Sequence, residues 1–139
     1  MKPIPSNNDL EFRYAFEKGD ISPTEFHHRD HLRLAYVYLC ESETPNAFEK
    51  FRRSIKRFLE LNGVPPEKYH ETVTFAWVQA VRHFMKLCGP VSSFDELIEA
   101  DSRLLDVDVM LSHYRKETLF SESARYKFVS PDLQPIPQY

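Results

Sequence analysis

The chain has 139 residues, 42% of them hydrophobic and 14% aromatic, with a formal charge of −3 at neutral pH. That length suits one domain able to bury roughly two-thirds of its unfolded surface, and the negative balance excludes the global positive field of a dedicated nucleic-acid binder. Three glycines are too few for a phosphate-cradling loop or a hairpin-rich sheet, neither a GxGxxG nor a Walker-type motif occurs, and no apolar run reaches the ~18 residues that cross a bilayer.

The opening "MKPIPSNNDL" lacks the apolar stretch of a secretory signal, so a cytoplasmic protein with no membrane partner is expected. Residues 1–8 read as an extended tail, and a first helix is predicted over Asp9–Lys18, stopped by Gly19. The second helix is predicted to start near Pro23, with Ser22 as its cap and Glu25 completing a capping box, and to run through "EFHHRDHLRLAYVYLC". Thr44 and Pro45 announce a third helix that ends at Asn62-Gly63 and carries Arg52, Arg53, Lys56 and Arg57 on its outer face. After Pro65-Pro66 comes the longest helix, containing "YHETVTFAWVQAVRHFMKLC" and ending at Gly89-Pro90. Ser93 caps a short fifth helix, "RLLDVDVMLSHY" gives a sixth, and residues 129–139, with three prolines, are expected to lie extended over the bundle. No period-two alternation demands a strand. The fold expected is all-α, a single-domain bundle of about six helices. Cys40 and Cys88 sit on apolar stripes and read as reduced thiols.

The histidines then become a geometric question. On a helical wheel His28 lies within roughly 60° of His31, and His27 within about 40° on the other side, so all three can share one face that continues through Ala35, Tyr38 and Leu39. In the fourth helix His70 begins an inward stripe through Val73, Thr74 and Trp77, while His83 projects to the opposite side, toward water. Two imidazoles at i,i+3 and one from a facing helix make a donor set for a divalent transition metal, zinc or iron, rather than for calcium or magnesium. The expected ligands are His28, His31 and His70. Glu71 is the acid/base candidate or a rim residue, with helix-dipole stabilisation as its structural alternative. Tyr38, Thr74 and Trp77 are the candidate substrate-pocket residues, although Thr74 can equally back-bond to its helix, and Tyr38 and Trp77 can equally be core.

Two segments carry a resemblance. Phe26, His28, His31 and Leu32, followed by Tyr69, His70, Glu71, Thr72 and Thr74, resemble a group of small bacterial helical proteins with Phe-x-His-x-x-His-Leu and Tyr-His-Glu-Thr-x-Thr motifs. The C-terminal residues Tyr114, Leu119, Ser121, Ala124, Arg125, Pro131 and Asp132 are similar to that group as well. The resemblance implies no particular reaction, but it separates His28 and His31, which match, from His27, which does not. A looser, architectural similarity is to helical-bundle metalloproteins of the DinB/YfiT type, in which three histidines from separate helices hold an ion; the spacing here differs from that family's, so no substrate follows.

These readings favour a small metal-dependent enzyme, a hydrolase or oxygenase acting on a small molecule through metal-activated water or dioxygen. The alternative is a non-catalytic helical module whose aromatic pocket holds a small molecule or a partner helix. Nucleic-acid binding through Arg52, Arg53, Lys56 and Arg57 is the minority reading of the basic face.

Overall fold

The computed structural model describes residues 2–139 and is all-helical in class, with seven α-helices, four 3-10 turns and no strand among those residues. The α-helices are α1 (Asn7–Glu17), α2 (His28–Glu41), α3 (Thr44–Leu61), α4 (Glu71–Cys88), α5 (Phe94–Ala100), α6 (Lys116–Leu119) and α7 (Glu122–Tyr126). None of the described helices is long and apolar enough to cross a membrane.

Several starts differ from expectation, each for a local reason. The first helix begins at Asn7 because Ser6 forms a capping box with Asp9: the Asp9 N–H donates to Ser6 Oγ at 3.0 Å and the Ser6 N–H donates to Asp9 Oδ2 at 3.0 Å. The Ser22-Pro23 signal is spent on a 3-10 turn, Pro23–Glu25, and the Ser22 hydroxyl pairs with that of Thr24 rather than capping a helix. Phe26 explains the break. Its ring is buried against Phe16 and Phe58, with centroids 4.6 and 5.2 Å away, so the chain turns inward there before α2 begins at His28. In α3 the cap position is Glu43, not Thr44, whose hydroxyl instead accepts from Arg82 Nε at 3.1 Å. The expected sixth helix is two 3-10 turns, Ser102–Leu105 and Val107–Ser112, started by Asp101 and Asp106. Helices α6 and α7 follow it, and residues 127–139 carry no helix; Ile136 is buried against the core.

Helix α2 is the centre of the molecule, packed by α1, α3, α4 and α5. Leu32 and all six residues from Leu34 to Leu39 are buried, so over that stretch the helix is enclosed around its whole circumference rather than along one stripe.

Two polar groups fasten the periphery to this centre. The carboxylate of Asp9, only 2% exposed, accepts from Arg33 Nε of α2 at 2.8 Å and from the Phe94 N–H at the start of α5 at 3.0 Å. Burial alone would push the Asp9 pKa up; the backbone bonds from Ser6 and Phe94, with the Arg33 bond and charge, more than reverse this and hold it below the ordinary carboxylate value. At the other end Thr72, fully buried in α4, donates to the Lys127 carbonyl at 3.0 Å and accepts from the Val129 N–H at 3.0 Å. The C-terminal segment is held there.

Candidate functional site

A cavity of about 380 Å³ lies between α2, α3 and α4, lined by His28, His31, His70, Thr74 and Trp77 together with Leu32, Ala35, Phe51, Ile55 and Val73. The histidines enter it differently. His28 Nε2 lies 2.9 Å from the Leu104 carbonyl, and a carbonyl only accepts, so the proton is on Nε2 and Nδ1 keeps a free lone pair. Its ring meets Trp77 edge-on at 4.6 Å. His31 has the opposite tautomer: Nδ1–H donates to the His27 carbonyl at 3.1 Å, leaving Nε2 free at the ring tip. Its ring keeps one side open to solvent while the other packs on Phe26, centroids 4.2 Å apart. Desolvation and the neighbouring His28 push its pKa down, against the opposing pull of the His27 carbonyl and Asp30. The net direction favours the neutral imidazole.

His70 is occupied otherwise. It is the N-cap of α4, its Nδ1 accepting the Val73 N–H at 3.1 Å. The proton must then sit on Nε2, which is buried and has no hydrogen-bond partner in the described structure. A ring in this state has no lone pair left for a metal ion. Consistently, among the described residues no group of three or more His, Cys, Asp or Glu side chains is arranged to hold an ion. His27 stands outside the cavity at the cap of α2, its N–H donating to Asp30 Oδ2 at 2.9 Å. His83, expected to face water, is half-buried beneath Tyr139, whose hydroxyl lies 3.1 Å from its Nδ1.

Glu71 turns away from the imidazoles. It accepts from the Tyr69 hydroxyl at 2.7 Å and from Arg52 Nη1 at 2.6 Å, in the wall of an adjoining cleft of about 880 Å³ that also includes Lys56 and Arg125. Tyr69 separates this cleft from the histidine pocket, and burial beside Glu71 holds its phenol protonated. Thr74 lines the pocket but donates to the His70 carbonyl at 2.6 Å. Tyr38 is absent from the pocket altogether. It sits seven residues beyond His31, about 10 Å along the helix, and its hydroxyl reaches Glu17 and Ser54 in a separate depression between α1, α2 and α3. Tyr69 and Lys68 are pocket residues that the helical wheel misses, because they precede α4 and obey no helical period.

The capping role of His70 has a measurable consequence. His70→Ala should cost about 1 kcal/mol, whereas His70→Asn, which keeps a capping acceptor, should cost less. Burial, and secondarily the Arg125 charge, lowers the His70 pKa. The unfolded chain then binds more protons than the folded one below about pH 6.5, so stability is complete above that value and falls as pH drops through it. His31 and His83 are shifted in the same direction. Urea unfolding at neutral and mildly acidic pH should show this loss, and a smaller one in His70→Asn.

Comparison of the chain with family models, with curated proteins and with solved structures finds no match.

Proposed function

We propose that the cavity between α2, α3 and α4 binds a small organic molecule with an apolar body and a hydroxyl or amine that donates to an imidazole. One observation carries this reading: the hydrogen bonds of His28 and His31 leave an acceptor unused on each ring, beside a cavity whose other walls are mainly aliphatic and aromatic. A neutral imidazole that accepts from a hydroxyl also stands where it can take the proton, so His31 suits a general-base role. Trp77 and Thr74 shape the pocket, and Glu71 acts through Tyr69 and Arg52 as a positioning residue.

The same two lone pairs favour a second reading, in which a zinc or ferrous ion is shared by His28 and His31, with water or substrate completing its shell. His70 takes no part in it as a ligand. Here metal-activated water or dioxygen would supply hydrolytic or oxidative chemistry.

Trp77 is the only tryptophan and reports the pocket directly. Its emission, followed while tag-free protein is titrated with cyclic aliphatic alcohols and amines, should change saturably, and Val73→Phe, which fills the cavity, should abolish the change. Stoichiometric metal in the tag-free protein, lost in the His28→Ala, His31→Ala double variant, would establish the second reading instead. No emission change and no bound metal would sink both.

A further inference from the structure

The depression that holds Tyr38 has a chemistry of its own. It encloses about 570 Å³ between α1, α2 and α3, on a different face of α3 from the cleft that contains Arg52 and Lys56. Its α3 wall carries Lys50, Arg53 and Arg57, whose spacing puts them on one side of the helix. Lys50 Nζ donates to Ser42 Oγ at 2.8 Å, while Arg53 and Arg57 make no side-chain hydrogen bond or ion pair among the described residues.

The carboxylates of the opposite wall are already engaged. Glu41 pairs with Arg13, and Glu17 accepts from the Tyr38 hydroxyl at 2.7 Å while lying 4.0 Å from Arg13 Nε. Because Tyr38 gives its one proton to Glu17, the contact of 2.6 Å to Ser54 is a donation from the serine hydroxyl to the tyrosine oxygen. The polar base of the depression is thus satisfied internally, and Arg53 and Arg57 on α3 are not. A chain of net charge −3 here keeps two more cations than carboxylates around one concavity.

We propose that this depression binds a small polyanion, specifically a diphosphate group gripped by Arg53 and Arg57 with Lys50 beside it. Guanidinium forks match phosphate oxygens two at a time, and Arg53 and Arg57, four apart on one side of α3, stand about 6 Å apart along its axis, close enough for two long side chains to converge on one ligand with two phosphoryl groups. The site is a concavity of limited size whose wall opposite α3 carries Glu17 and Glu41, so an anion is held on the α3 side and an extended phosphate backbone crossing the whole depression meets both carboxylates. A small molecule therefore fits better than nucleic acid.

The test is calorimetric titration of the intact chain with inorganic pyrophosphate and, separately, ADP, at fixed ionic strength. One saturable site is expected, with affinity weakened at least about tenfold in the Arg53→Ala, Arg57→Ala double variant and unchanged in Lys56→Ala, which removes a cation from another face of the same helix. Tighter binding of ADP identifies a nucleoside diphosphate as the ligand, and equal binding identifies the diphosphate alone. The inference is overturned if neither compound binds at millimolar concentration, if Lys56→Ala weakens binding as much as the arginine pair does, or if a short oligonucleotide binds more tightly with the same arginine dependence. The circular dichroism spectrum of the double variant should match the parent, because both arginines are exposed.

Discussion

Asp9→Ala should destabilise the protein by about 3 kcal/mol or more. The carboxylate is shared by three elements: it closes the cap of α1 through the Ser6 N–H, pairs with Arg33 of α2, and accepts the N–H of Phe94 at the start of α5. Alanine leaves the Arg33 guanidinium, half-buried, without its counter-charge, and strands the buried Phe94 N–H. Asp9→Asn should recover part of the loss, since an amide oxygen still accepts from a backbone donor but does not neutralise Arg33. The pH dependence follows in sign. The folded pKa of Asp9 is depressed, so its contribution is complete above the ordinary aspartate value near ~3.9 and is lost as pH falls through the lower folded value. Urea unfolding of the three proteins between neutral and acidic pH measures all of this; a parent and an alanine variant that unfold at the same urea concentration would remove Asp9 from its place in the fold.

Thr72→Val should cost about 2 kcal/mol with a local signature. The isosteric methyl keeps the packing of a fully buried position but leaves the Lys127 carbonyl and the Val129 N–H without their partner. Hydrogen exchange should accelerate from residue 127 onward before α2 or α3 is affected, because α2 and α3 draw their stability from the central core. Uniform acceleration over the whole chain would show that the C-terminal segment is not a separately released unit.

The sequence makes the long helices legible wherever apolar spacing and a terminal signal agree, as in α3 and α4. It misleads where one signal serves another purpose. Ser22-Pro23 starts a 3-10 turn because Phe26 must enter the core a few residues later, and nothing local reveals that. Helices α6 and α7 span four and five residues, too short for a periodic pattern to exist. The wheel assigns α2 one inward stripe, whereas burial from Leu34 to Leu39 encloses the helix on every side; Tyr38 does lie on the side of His31, but the wheel ignores the axial distance of about 10 Å that carries it to a different depression.

At the site, helical spacing pairs His28 with His31 and Thr74 with Trp77, while the packing of α2 against α4, which spacing does not supply, brings the two sets and His70 around one cavity. Which nitrogen of each histidine stays free is set by distant or backbone partners that spacing cannot supply. The carbonyl that fixes His28 belongs to Leu104, 76 residues away in sequence. His70 is consumed by the first turn of its own helix, and Glu71 by an arginine from α3.

Nitrogen-15 NMR of the imidazole rings tests the central claim most directly, since it reads the protonation of each ring nitrogen in the folded protein. His31 should be found as the Nδ1–H tautomer and His28 as the Nε2–H tautomer, with the His31 resonances titrating below the ordinary histidine value of about 6.5. Adding a pocket-filling alcohol should then shift the unprotonated nitrogens, Nε2 of His31 and Nδ1 of His28, and leave His83 unmoved. A His31 ring protonated on Nε2, or titrating above that ordinary value, would contradict the account, because the free acceptor on which the pocket's proposed function rests would not exist.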